Sequence, residues 1–405
     1  MSGAVRTLTR APDLDAFGGY VMLGGSMTSG AGDLNSDIQA VINMPLLEDK
    51  FAFRAVVYRF DKSGYIRNVA ADDPAKLAGV ELFNARLSDS VEDRGNLEIE
   101  GFRLGALWRV NDRLDIRFTA MGQKTDQDGV PTIDVLQGSY EQSRYARLDG
   151  SDEGMADDLE LYNLTINYDS KNWSLISSSA WIEYKATIDW DVGLFFLDFM
   201  DGVEPPMFLY QADENEVFTQ ELRWSWDAGG RWRALVGAFY EKRDFAIVDS
   251  NHMEGYPDPF EGFFEFYGLF ESEATRKSVF ADATVRVVAQ LEATAGVRSF
   301  KIEGGGFNSM PEDRQTGETW KAGLNWRPKT TFLGEEPLFY TVWAEGFRPG
   351  FELGKPPPKC DPDGDGIIDE VGLPWEDVDY DDVSSIELGF KSTFAQRRIG
   401  RSSGI

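Results

Sequence analysis

The stretch SVFADATVRVVAQLEATAGVRSFK, residues 278–301, decides the fold of this chain because its apolar and polar side chains alternate. Ala281 and Ala283 flank Asp282, and the same two-residue period resumes after a break at residues 289–290. A period of two places all the apolar side chains on one face of a β-strand and the charges on the other. The stretch therefore predicts a β-hairpin with one apolar face, whose arms are long enough to cross the hydrocarbon core of a bilayer.

The composition of the 405 residues excludes several classes of protein. A formal net charge of −29 argues against nucleic acid as a partner, because such binding needs Lys and Arg to neutralise phosphates. No run of residues is apolar enough for a membrane-spanning helix, whereas an aromatic content of 13% suits the girdles of a transmembrane barrel. One histidine leaves little scope for a Ser-His-Asp triad, and no carboxylate spacing singles out a catalytic pair, so we expect no enzyme.

The alternating pattern recurs along the chain, with short turns and long loops following each other. Segment 97–110 turns through Asn111 and Asp112 into segment 114–123, and a loop over 124–157 follows. Besides these two segments and the two arms of the hairpin at 278–301, the predicted strands are 18–29, 36–44, 51–60, 159–169, 173–190, 217–227, 232–245, 319–328, 338–347 and 383–394. Short turns at one end and long loops at the other are typical of outer-membrane barrels. We predict an all-β fold, a transmembrane antiparallel up-and-down β-barrel with fourteen strands in this chain.

Four segments resemble motifs of the TonB-dependent outer-membrane receptors. SGAVRTLTRAPDLDAFGGYV (2–21) resembles the junction between the plug domain and the first barrel strand of this family, and DKFAFRAVVYRFDKSGYIRN (49–68) resembles a strand and loop that follow it. YTVWAEGFRPG (340–350) is similar to the mid-barrel signature, and DVSSIELGFKSTF (382–394) to the Glu-x-Gly-x-Lys-Ser stretch. The four segments occur in the order that the family has.

The resemblance implies energy-coupled uptake of a scarce ligand, most often a ferric siderophore, at the outer membrane of a Gram-negative bacterium. It implies a barrel of 22 strands in outer-membrane lipid, occluded by a plug whose TonB box contacts TonB. The sequence lacks counterparts of most of the plug and of about eight strands, so we expect a fragment. We expect the end of the plug at 1–16, barrel strands with long extracellular loops at 17–394, and a non-barrel tail at 395–405.

The segment CDPDGDGIIDE (360–370) carries the most distinct chemical motif of the chain. It places carboxylates at positions one, three, five and nine of a calcium-binding loop: Asp361, Asp363, Asp365 and Asp369. Gly366 occupies the position of the sharp turn, but Gly372 stands where a bidentate acid is expected. The segment predicts a Ca²⁺ site or, alternatively, an acidic surface loop that binds ions weakly.

Other residues are candidates for ligand contact. Tyr256, Phe264 and Tyr267 belong to an aromatic loop that predicts anchors at a ligand mouth or, alternatively, an interfacial girdle or a self-packed loop. Arg348 follows the mid-barrel strand and is placed to face an anionic siderophore or to serve as an ordinary rim charge. The charged residues of the polar strand faces should point into the lumen and form ion pairs with one another and with a plug: Asp115, Arg117, Glu221, Arg223, Asp282, Arg286, Glu292 and Arg298.

Two other functions remain open at this point. The first is a passive outer-membrane barrel or a non-transporting remnant of a receptor, which a plug with a TonB box would distinguish from a working receptor. The second is a secreted calcium-dependent β protein. That alternative predicts a water-soluble fold that melts when Ca²⁺ is removed.

Overall fold

The computed structural model describes residues 8–68, 70–83, 94–129, 144–145, 153–193, 202–203, 205–253, 266–304, 314–330, 332, 335–348, 367–368, 373–374, 381–394 and 399–404. Within these residues, fifteen strands form one antiparallel sheet. The strands are β1 (Gly18–Met27), β2 (Leu34–Leu47), β3 (Phe51–Lys62), β4 (Leu97–Asn111), β5 (Leu114–Asp128), β6 (Gly154–Asp169), β7 (Trp173–Asp191), β8 (Met207–Asp227), β9 (Trp232–Met253), β10 (Phe266–Val288), β11 (Leu291–Gly304), β12 (Arg314–Trp326), β13 (Glu335–Arg348), β14 (Asp381–Phe394) and β15 (Ile399–Gly404).

Each strand of the sheet pairs with the strand that precedes it and the strand that follows it in the chain, so the topology is up-and-down. The all-β antiparallel prediction and the fourteen predicted strands are confirmed, and the sheet is open, with β1 and β15 at its edges. The strand β15 lies inside the segment 395–405, which we expected to lie outside the barrel. Ile399 to Gly404 pair with residues 389–394 of β14, although the sequence of this segment does not alternate.

The hairpin that decided the fold is formed by β10 and β11. Ala283 lies opposite Ala295, and Thr284 lies opposite Thr294 with their hydroxyl oxygens 2.9 Å apart. The turn falls at residues 289–290, as the sequence predicts. A register shift between residues 286 and 288 adds one residue to β10, which is the geometry of a β-bulge beside a tight turn.

The sheet has two chemically different faces, because side chains alternate along each strand. The register aligns one row of apolar side chains across successive strands, and we call this side the apolar face; examples are Ile42, Phe53, Phe102, Phe118, Leu164, Leu175, Leu222, Val236, Ala283, Ala295 and Leu324. The opposite side, which we call the polar face, carries most of the ion pairs described below. This division matches the lipid-facing exterior and polar interior of an outer-membrane barrel.

Aromatic side chains border the apolar face at two levels. Near the short turns, the rings of Tyr168 and Trp173 lie 5.2 Å apart between centroids. Eight residues further along β7, Trp181 lies 5.5 Å from Tyr162. Two aromatic rows that flank an apolar band about 25 Å tall are the girdles of a transmembrane barrel.

The strands continue well past the second aromatic row. The strands β8 and β9 have 21 and 22 residues, whereas crossing the hydrocarbon core takes roughly 9 to 11. On the apolar side of these extensions, Lys185 pairs with Glu183 at 2.7 Å and with Glu214 at 2.9 Å. The loops of the structure are therefore shorter than those predicted from the sequence, because the strands extend into the aqueous phase.

The pairing between β12 and β13 covers only part of their length. Residues 321–326 pair with residues 339–344. Within the described residues, the register between the two strands does not continue beyond these pairs on the side away from the turn. The backbone N–H of Trp320 donates instead to the Oε2 atom of Glu345, at 3.0 Å. We call this place the β12–β13 seam.

Local structure also forms between the strands. A 3₁₀ turn, Ala70–Asp72, leads into helix α1, Pro74–Phe83. The Oδ1 atom of Asp73 accepts bonds from the N–H groups of Ala75 and Lys76, at 2.9 and 3.1 Å, and so caps the helix. The described part of the chain contains no helix with the length and apolar composition needed to cross a membrane.

Two pairs of very short strands complete the described structure. Arg67–Asn68 runs parallel to Arg144–Tyr145 and so links two of the long connections. Ile367–Ile368 pairs antiparallel with Leu373–Pro374.

Candidate functional site

The polar face carries a cationic cluster close to the short turns. Glu292, which is 13% exposed, accepts from Arg233 at 3.0 Å and from Arg327 at 3.3 Å, and the Nε atom of Arg286 lies 3.8 Å from its other oxygen. These groups come from β9, β10, β11 and the residue after β12, so only the sheet register brings them together. Three guanidinium groups around one carboxylate leave this part of the wall positively charged in a strongly acidic chain.

Other charges of the polar face form ion pairs as the sequence predicts. Glu221 accepts two bonds from Arg223, at 2.7 and 2.9 Å, and Asp282 accepts from Lys321 at 2.9 Å. The eight charged residues predicted to share the lumenal side all lie on the polar face by the register: Asp115, Arg117, Glu221, Arg223, Asp282, Arg286, Glu292 and Arg298. Most of these pairs are half exposed, so we expect each to add at most about 1 kcal/mol to stability.

Helix α1 packs against the loop-side ends of β7 and β8. Phe83 forms a buried apolar cluster with Val192 and Met207. Beside this cluster, the Nζ atom of Lys76 lies 2.5 Å from the Oδ2 atom of Asp191. This helix was not predicted, although Asp73 followed by proline is a recognisable N-cap and first-turn signal.

The structure places two of the predicted ligand residues. Arg348 forms an ion pair with Asp381, and its side chain is 77% exposed, which fits a rim charge. Tyr267 is 72% exposed and lies opposite Ser250, on the side of the sheet that carries the apolar face. The other two predicted ligand residues, Tyr256 and Phe264, lie outside the described residues. Ligand contact by these four residues stays a prediction.

The predicted calcium ligands also lie outside the described residues: Asp361, Asp363, Asp365 and Asp369. Among the residues that the structure does describe, no group of three or more His, Cys, Asp or Glu side chains is arranged to hold a metal ion. Calcium binding therefore stays a prediction for the segment 361–369.

Residues 107–366 match a family model described as the TonB-dependent receptor-like β-barrel. The fold resembles that of FyuA, the ferric yersiniabactin uptake receptor from Yersinia pestis, with a TM-score of 0.68 and 15% sequence identity, covering 96% of this chain and 53% of that chain. It also resembles the siderophore receptor PiuA from Acinetobacter baumannii, with a TM-score of 0.65 and 14% identity, covering 98% of this chain and 57% of that one.

A third similar structure is FpvA from P. aeruginosa in complex with a heterologous pyoverdine and iron. Its TM-score is 0.66 at 13% identity, covering 98% of this chain and 48% of that chain. The chain thus spans about half the length of these solved proteins, and at such identities the likeness shows the fold alone. No curated protein matches the chain.

Proposed function

Because this chain belongs to the TonB-dependent receptor β-barrel family, we propose that it forms part of the wall of an outer-membrane uptake receptor. The division of the sheet into two faces is the observation that carries the proposal. An apolar face bordered by aromatic rows suits lipid, and a polar face with ion pairs suits a lumen that holds water and polar ligands. The family is one of receptors, which agrees with the expectation that the chain is not an enzyme.

We propose a ferric siderophore or a similarly scarce ligand as the cargo. Support comes from the similar solved proteins, whose names describe ferric yersiniabactin uptake and siderophore reception. The excess of arginine around Glu292 also gives part of the polar face a charge that attracts anions. TonB is the partner that such uptake requires, and the outer membrane of a Gram-negative bacterium is the expected location.

The proposal is tested by uptake of radioactive iron in the source bacterium, supplied as a panel of ferric siderophores under iron limitation. We expect deletion of the gene to abolish uptake of at least one siderophore, and the intact gene supplied in trans to restore it. Deletion of TonB should have the same effect. Uptake that needs this gene but not TonB would identify a passive barrel, and unchanged uptake of the whole panel would contradict the proposal.

A further inference from the structure

A second cationic cluster lies on the polar face, on β9 and β10. The Nη1 atom of Arg276 lies 2.9 Å from the Oε1 atom of Glu241, and the Nη2 atom of Arg243 lies 4.0 Å from the same oxygen. Glu241 is 13% exposed, whereas the two arginines are 37% and 40% exposed. One carboxylate thus serves two guanidinium groups, and the cluster has an excess of one positive charge.

Three hydrogen-bond donors of this cluster are buried without a partner. They are the Nε atoms of Arg243 and Arg276 and the Oγ atom of Ser278. Ser278 is only 6% exposed and lies two residues from Arg276, so both side chains are on the same face of β10. Buried polar groups in folded proteins nearly always have a partner, and an unpaired donor calls for an explanation.

The surroundings of these donors strengthen the hydrogen bonds that they can form. In the register, Ser278 lies between Phe239 on β9 and Phe300 on β11. Aromatic neighbours lower the local polarity, which strengthens an electrostatic interaction with any group that fills the place. Guanidinium groups present donors in a planar arrangement that matches the oxygens of a carboxylate or phosphate.

We propose that Arg243, Arg276 and Ser278 form a binding site for an oxyanion on the inner wall of the barrel. Two of the unpaired groups are donors only, the Ser278 hydroxyl can donate as well, and the excess charge is positive, so an anion with several acceptor oxygens satisfies all of them. The inference rests on the proposed function in one respect, because it takes the polar face as the side along which cargo passes. The oxyanion belongs either to a soluble ligand or to a carboxylate of the same polypeptide folded into the lumen.

The site is tested by calorimetric titration of tricarballylate, a soluble tricarboxylate, into the protein produced from its native gene and purified from outer membranes. We expect Arg276→Gln and Arg243→Gln to weaken binding about tenfold or more, since each removes a charge-assisted bond. Ser278→Ala should weaken it several-fold. The matched control is Lys277→Gln, which removes one positive charge from the opposite face of the same strand and should leave binding unchanged.

The thermal unfolding of the same variants separates the two sources of the oxyanion. If the native protein does not bind tricarballylate and Ser278→Ala, which breaks no bond inside the described cluster, unfolds about 2 °C or more below Lys277→Gln, a carboxylate of the polypeptide itself occupies the site. Equal binding by all variants would overturn the proposal, as would an absence of binding together with equal unfolding temperatures. Iron uptake is measured separately in cells, so loss of the uptake proposal leaves this result interpretable, and the reverse also holds.

Discussion

Lys76 and Asp191 form an ion pair of 2.5 Å in which neither side chain is more than 1% exposed. The pair joins α1 to the end of β7 across 115 residues of sequence. The second oxygen of Asp191 accepts the N–H of Gly193 at 2.9 Å, so the carboxylate is bonded on both sides. The bond therefore fixes the first long connection of the sheet against the ends of β7 and β8.

Loss of one partner from this pair should be costly. We expect Lys76→Met to lower the free energy of unfolding by about 3 to 5 kcal/mol, because it removes the ammonium group that lies against the buried Asp191 carboxylate. Urea unfolding of the protein folded in lipid vesicles measures this. The control is Lys62→Met at the more exposed pair with Asp37, which should cost about 1 kcal/mol or less. The double variant Lys76→Met/Asp191→Leu should recover most of the loss, and equal effects at both lysines would contradict the prediction.

The assignment of the two faces is tested by placing an arginine on each. Ala283→Arg on the apolar face should lower the free energy of unfolding in lipid by about 2 to 4 kcal/mol, the cost of a charge near the bilayer midplane. Ser178→Arg is the control, because it lies on the polar face opposite the carboxylate of Glu221. We expect little destabilisation there. The assignment is wrong if the two substitutions cost the same.

The cluster around Glu292 predicts a second electrostatic effect. Glu292→Gln removes the carboxylate that neutralises Arg233, Arg286 and Arg327, and we expect it to cost about 1.5 to 3 kcal/mol. Glu318→Gln removes the same charge at an exposed position and should be nearly neutral. Both are measured by urea unfolding in vesicles at low and high salt. A loss that is equal for the two variants would show that net charge, not the cluster, governs stability.

One close approach between strands can be tested with glycine substitutions. A Cβ atom at Gly237 would lie 2.3 Å from the ring of Phe280 and 2.9 Å from the carbonyl oxygen of Leu222. Gly237→Ala must displace the ring, so we expect a loss of about 1 to 3 kcal/mol. Gly346→Ala is the matched control, since a Cβ atom there would meet nothing within 4 Å. Similar unfolding curves for the two variants would contradict the close packing of Phe280.

The calcium prediction has its own test. If residues 361–369 bind Ca²⁺, the ion should raise the unfolding temperature of the native protein, and Asp361→Asn/Asp365→Asn should remove this rise. Asp379→Asn lies close by in the sequence but outside the motif, and it should keep the response. An identical response in all three proteins would assign the segment to the acidic surface loops.

The strands inside the membrane were predictable because lipid on one side and polar surroundings on the other impose strict alternation. The hairpin at 278–301 shows this, since its apolar positions predict which residues share a face and where the turn falls, although not the bulge at residues 286–288. The first ten residues of β8, 207–216, were predicted to belong to a loop. Both faces of a strand that extends into water can be polar, so the alternation that marks a membrane strand fades there.

The polar face was predictable as a set of residues but not as an arrangement. Glu221 and Arg223 could be expected to meet, because positions two apart on a strand share a face. Glu292 lies on β11, Arg233 on β9 and Arg327 just after β12, and their meeting depends on registers that sequence spacing does not give. The pairing of Lys76 with Asp191 also requires α1, whose capping signal stood within a segment otherwise rich in polar residues.

The sheet is held together by fewer backbone hydrogen bonds at the β12–β13 seam than between β8 and β9. Parting β12 from β13 breaks the backbone bonds of residues 321–326 only, whereas parting β8 from β9 breaks those along all 21 residues of β8. Amide protons of residues 316–319 that face β13 should exchange with solvent before those of β8. A sideways pull within the bilayer plane would therefore part β12 from β13 before it parts β8 from β9, beginning at the end away from the turn.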